Sequence, residues 1–111
     1  NSDWASAIRL YKAIANNEAF DTIYRELAII LGAFAELDSL SGDIELIEKA
    51  NQLAVGSGPW RFSAKEIGAL AALVNGDNNF ARTQYNELSK EASAPEGLRA
   101  RAQKMLELLA N

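Results

Sequence analysis

The chain has 111 residues and contains no cysteine and no histidine. Their absence removes disulfides, thiol nucleophiles, Cys/His zinc sites and imidazole acid–base chemistry in one step. There are only two prolines, so few positions are closed to helix. No long hydrophobic run is present: the longest uncharged apolar stretch is the nine residues from Leu27 to Ala35, and a bilayer-spanning helix needs about 20. Positive charge is also scarce. Eleven Lys and Arg face 15 Asp and Glu, for a net charge of −4 and an isoelectric point near 4.8. A nucleic-acid binder usually presents a basic face, so this balance argues against one. The deficit is local: residues 1–58 hold 4 basic and 9 acidic side chains, residues 59–111 hold 7 and 6. The chain opens with Asn, not Met, and it is expected to be an excised or processed piece of a longer protein, so targeting signals are not to be judged from it.

What is present has helical spacing almost throughout. Trp4, Ala7, Ile8, Tyr11 and Ile14 form one stripe, which Asn16-Asn17 ends. A second helix is expected over about 22–38, with Asp21 as its N-cap; its middle is apolar nearly all round, so it should be covered on more than one side. A turn at 40–42, a third helix over about 43–55 and a Gly-Ser-Gly-Pro loop at 56–59 follow. Ser63-Ala-Lys-Glu66 has the form of a capping box, in which the serine accepts a backbone N–H and the glutamate reaches back. It would open a fourth helix ending at Asn75-Gly76. A fifth, about 78–92, would bury Ala81, Tyr85, Leu88 and Ala92. A second box, Ser93-Ala-Pro-Glu96, would open the last, burying Leu98, Ala102, Met105, Leu106 and Leu109. No segment alternates with period two for long enough to form a strand. Six helices in one all-α domain are expected.

An internal repeat indicates how they are arranged. Asp3, Ala7, Tyr11 and Ile14 have the same spacing as Asp77, Ala81, Tyr85 and Leu88. A middle copy at 42–54 sets Ile47 against Ala81, 34 residues apart, which is the tetratricopeptide period. Antiparallel helices packed closely need small residues where they meet, and Ala7, Ala35, Ala69 and Ala81 supply them. The units expected are a lone second helix (3–15), hairpins at 22–55 and 63–92, and a capping helix at 95–110. An unrelated helical bundle is the alternative.

The stretches PWRFSAKEIGALAALVNGDNNFARTQYNEL and APEGLRARAQKML are more particular. They resemble the tetratricopeptide-like domain of an alphaproteobacterial family related to the ancillary subunit of the bacterial Sec translocon, most densely over residues 59–106. The resemblance implies a protein held in the inner membrane by an N-terminal anchor outside this chain, with its domain on the periplasmic side. It also implies a translocon or periplasmic-chaperone partner, no enzymatic activity, and no cofactor or metal.

Candidate contact residues are of two kinds. Trp60, Arg61 and Phe62 put two aromatics around an arginine between hairpins, a composition favoured at binding hot spots; the plainer reading is a plug between hairpins. The first helices of the hairpins line the concave side of such a stack, where some of Ile29, Glu36, Glu66, Leu70 and Leu73 are expected to face outward. Glu45, Glu48 and Glu66 read as solvated carboxylates, not an acid–base set. Gly56-Ser57-Gly58 lacks the Lys-Ser/Thr ending of a phosphate loop. Arg99, Arg101 and Lys104 read as a solvated cap with too few charges for a lipid site. The role expected is a non-catalytic protein-interaction scaffold, with self-association into a homo-oligomer as the alternative.

Overall fold

In the computed structural model, which describes residues 2–110, six helices follow one another: α1 (Ser2–Ala15), α2 (Thr22–Ser39), α3 (Glu45–Ala54), α4 (Arg61–Val74), α5 (Asn78–Lys90) and α6 (Glu96–Leu109). No strand occurs among the described residues. Each helix packs against its neighbours in the chain, and α2 meets α4 and α4 meets α6. The result is a stack of antiparallel helical hairpins measuring 42 × 31 × 19 Å.

Two apolar clusters hold it, and α4 belongs to both. The first joins Ala15 of α1, Ile30 and Ala33 of α2, Leu46 and Ala50 of α3, and Ala64 and Ile67 of α4. The second joins Phe62, Ala69 and Ala72 of α4 to Ala81, Tyr85 and Leu88 of α5 and to Leu98 and Ala102 of α6. Alanine is frequent in both because the helices lie close. Ala33, Ala50, Ala64, Ala69 and Ala81 are each fully buried, and larger side chains there would push the axes apart.

Helix ends depart from the sequence reading in several places. Neither expected capping box forms. Helix α4 has already begun at Arg61, so Ser63 lies inside it, and no side chain caps its start at Trp60. Helix α6 begins at Glu96 behind Pro95, again without a side-chain cap. Asp21 occupies the N-cap position of α2, but its carbonyl, not its carboxylate, accepts the N–H groups of Tyr24 and Arg25. The cap that does form is Asp77, which accepts from Phe80 N–H at 3.1 Å. Helix α3 starts at Glu45, not Asp43, and α5 stops at Lys90, leaving Ala92 exposed instead of buried. In α3 the residues turned inward are Leu46, Ile47 (the residue set against Ala81 in the repeat) and Ala50, while Asn51, aligned with Tyr85, is exposed. An amide buried in that position would need partners an apolar interior lacks. Ala7, expected at a close approach, is only half-buried.

Candidate interaction surfaces

The Trp60–Phe62 segment is built into the stack. Trp60 is half-buried, packs on the first apolar cluster, and its indole Nε1–H donates to the carbonyl of Ile23 at 3.2 Å. It therefore ties the start of α4 to the start of α2. Phe62 is buried in the second cluster. Arg61 lies over the Phe62 ring, with its guanidinium carbon 4.3 Å from the centroid, and donates to the carbonyl of Gly58 at 3.0 Å. Stacking and hydrogen bonding fix this arginine locally.

The two glutamates expected to face outward are buried instead. Glu36 is 2% exposed. Its carboxylate accepts the N–H groups of Leu46 at 3.0 Å and Ile47 at 2.9 Å. Helix α3 is thus capped by a side chain borrowed from α2, which satisfies donors that any helix start leaves open. Burial pushes the Glu36 carboxyl up, and the two backbone N–H groups oppose the shift without cancelling it. Beside it, Lys12 of α1 pairs with Asp43, and Glu45 lies 3.6 Å from the same ammonium. The hydrogen bond between them lowers the Asp43 carboxyl and raises the Lys12 ammonium.

Glu66, 8% exposed, takes two hydrogen bonds from Arg101 of α6: Nε at 2.9 Å and Nη2 at 3.0 Å. This fork joins α4 to α6 and raises the guanidinium's pKa further. Tyr85 is nearby and 1% exposed, and burial, with the charge of Glu66 adding, pushes its phenol up to about 12. Glu45, Glu48 and Glu66 are therefore not one set. The first two are exposed, and the third belongs to the α4–α6 contact.

Of the aliphatic candidates, Ile29 packs on the first cluster, Leu73 packs on the second, and Leu70 is half-buried. Arg99 is half-buried, and Lys104 is exposed beside Glu107 at 3.8 Å. Gly56 and Ser57 are exposed in the α3–α4 connection.

One surface was not assembled from sequence. Tyr11 and Ile14 of α1, Phe20 of the connection, and Tyr24, Leu27 and Leu31 of α2 line an open apolar groove of about 400 Å³. Phe20, Tyr24 and Leu31 are 44%, 58% and 43% exposed. A signal was available: α2 is apolar nearly all round, and α1, α3 and α4 cover only three of its sides. No helix of the described residues is long and apolar enough to cross a membrane, and no group of three metal-ligating acidic side chains comes together among them.

No family model matches the chain, and neither a curated protein nor a solved structure matches it.

Proposed function

We propose that the chain is a non-catalytic protein-interaction module with a tetratricopeptide-like arrangement. The observation that carries the reading is the distribution of apolar surface. Large side chains are buried where hairpins meet, yet Phe20, Tyr24 and Leu31 stay exposed together in the groove between α1 and α2. A contiguous exposed apolar face on a small domain is a mark of an interaction site. The polar groups between the helices, Glu36 with α3 and Glu66 with Arg101, are occupied in holding the scaffold. The similarity of residues 59–106 to the translocon-associated family supports a more specific proposal: the module belongs to an anchored protein of the bacterial inner membrane, faces the periplasm, and assists secretion or envelope protein folding.

The test is a crosslinking pull-down from bacterial membranes with the full-length protein, beside a variant in which Tyr24 and Leu31 are both alanine. Recovery of translocon or chaperone subunits by the wild type supports the envelope role. Recovery of cytosolic partners alone removes that role and leaves the interaction module. Recovery of the protein itself and nothing else favours self-association.

A further inference from the structure

Helices α2 and α4 match at an offset of 36 residues, as in Arg25/Arg61, Gly32/Gly68 and Leu37/Leu73. The match reaches the residue that ends each helix. Leu40 turns the chain out of α2 at φ 52°, and Gly76 turns it out of α4 at φ 82°. The residue before the turn differs: Ser39 in the first unit, Asn75 in the second. Asn75-Gly76 is the one Asn-Gly pair in the chain. An asparagine before glycine is chemically labile, because glycine has no Cβ to keep its nitrogen away from the asparagine Cγ.

The turn that needs this glycine also restrains it. The Gly76 N–H donates to the Leu73 carbonyl at 3.1 Å, and the Asp77 N–H donates to the Ala72 carbonyl at 2.8 Å. These are the two bonds of a Schellman motif. The nitrogen that would attack is therefore already engaged. It also faces the wrong way. With the ψ of Asn75 at 3°, it eclipses the backbone nitrogen of Asn75 and not the side chain. Ring closure needs the hydrogen bond broken and the Asn75 Cα–C bond rotated. The end of α4 is suited to such an opening: Val74, Asn75 and Gly76 are all exposed, and exposed helix ends open at little cost.

We propose that Asn75 is a site of spontaneous deamidation, gated by opening of the turn that closes α4. In the opened turn the Gly76 nitrogen bonds to Asn75 Cγ. The Cγ–Nδ2 bond breaks, and ammonia leaves carrying the proton that the Gly76 nitrogen gave up. Water then opens the resulting cyclic imide at one of its two carbonyls. Opening at Cγ gives aspartate. Opening at the main-chain carbonyl gives isoaspartate, in which the chain runs through Cβ and Cγ. Nothing is oxidised or reduced, and water is the only co-reactant.

Both products work against the turn. Isoaspartate adds a carbon to the main chain and moves the Gly76 and Asp77 N–H groups out of register with their acceptors on α4. Aspartate places a carboxylate at the negative end of the helix dipole, in a cavity that Asn75 lines together with Glu36 and Asp43. A single reaction thus converts the α4–α5 junction from closed to open. Ser39 cannot form such a ring, so the α2–α3 junction has no counterpart. This inference is independent of the interaction-module reading.

To test it, the full chain is incubated at mildly alkaline pH with and without denaturant. Mass spectrometry follows the Asn, Asp and isoaspartyl forms of the peptide that spans Asn75. The expected result is conversion at Asn75 in both samples, about tenfold faster in denaturant, while Asn78 and Asn79 of the same peptide stay intact. Val74→Gly loosens the last turn of α4 and should speed the native reaction about fivefold, with the denatured rate unchanged. The isolated isoaspartyl form should lose hydrogen-exchange protection at Gly76 and Asp77 and keep its helix content. Reaction at Asn78 or Asn79 instead of Asn75, or no reaction in denaturant, overturns the site. Equal native and denatured rates, a native chain that never reacts, or a Val74→Gly variant with the wild-type native rate overturns the gate. Retained protection at Gly76 and Asp77 overturns the opened junction.

Discussion

The two hairpin units reach similar packing by different polar means. In the second, α5 is capped locally: Asp77 precedes the helix and accepts from Phe80 N–H. In the first, Asp43 accepts only the Glu45 N–H at 3.3 Å, and Glu36 reaches across from α2 to hold the next two N–H groups, of Leu46 and Ile47. The residue in Glu36's place on α4 is Ala72. A local cap stabilises one helix, whereas a borrowed cap also fixes how two helices meet. Removing each should therefore have unequal effects. Glu36→Ala strands two buried donors and should destabilise by about 3 kcal/mol. Asp77→Ala frees one exposed donor to water and should cost about 1 kcal/mol. Denaturant melts of both variants check this. Equal losses would mean that Glu36 caps α3 without organising the hairpin.

The second contrast lies in the paired glycines. A Cβ on Gly32 would collide with Leu46 and come within 2.9 Å of the Tyr11 Cβ, which moves only with the α1 backbone. A Cβ on Gly68 would meet Asn51 Oδ1 at 3.7 Å, an ordinary contact. Alanine suits a helix interior better than glycine by about 1 kcal/mol. Gly68→Ala should thus stabilise by about 0.5–1 kcal/mol, and Gly32→Ala should destabilise by about 1–2 kcal/mol through overpacking. If both variants stabilise, α1 is free to move away from α2, and the close approach in the first unit is not structurally required.

Legibility in the sequence followed the range of the interaction. Helices set by apolar periodicity, such as α1 and α5, stand close to where the stripes through Tyr11 and Tyr85 put them. The Gly76 turn followed from one residue's freedom: its φ is 82° and its N–H bonds back to Leu73. Polar assignments failed because each was made within its own segment. Ser63 with Glu66 satisfies a local motif, yet Glu66's partner, Arg101, is 35 residues away. Glu36 looks like a surface carboxylate until α3 is packed beside it. The 34-residue period, read by setting Ile47 against Ala81, hid a 36-residue match of α2 with α4, in which Arg25, Ala28, Gly32, Ala33 and Leu37 stand opposite Arg61, Ala64, Gly68, Ala69 and Leu73. Helix α2 runs four residues longer than α4, and the left-handed residue closing it is Leu40, at φ 52°. This end gives a third contrast. Leu40 is exposed and bears the cost of that conformation, so Leu40→Gly should stabilise by about 0.5–1 kcal/mol in a thermal melt.

The smallest effect concerns pH, and it separates two carboxylates of the first unit by sign. Burial raises the Glu36 carboxyl above its ordinary value, so the folded state favours its protonated form. Its contribution to stability is complete below the ordinary glutamate value of about 4.3 and declines as pH rises through the raised folded value. Asp43 is lowered by its hydrogen bond with Lys12. Its contribution is complete above the ordinary aspartate value of about 3.9 and is lost as pH falls through the lowered one. Wild type, Glu36→Gln and Asp43→Asn melted across the acid range should therefore show opposite trends. The advantage of wild type over Glu36→Gln narrows with rising pH, and its advantage over Asp43→Asn narrows with falling pH. Parallel trends would mean that the Lys12 ammonium, not burial, governs Glu36 as well, so that the borrowed cap and the α1–α3 ion pair act as one charged cluster.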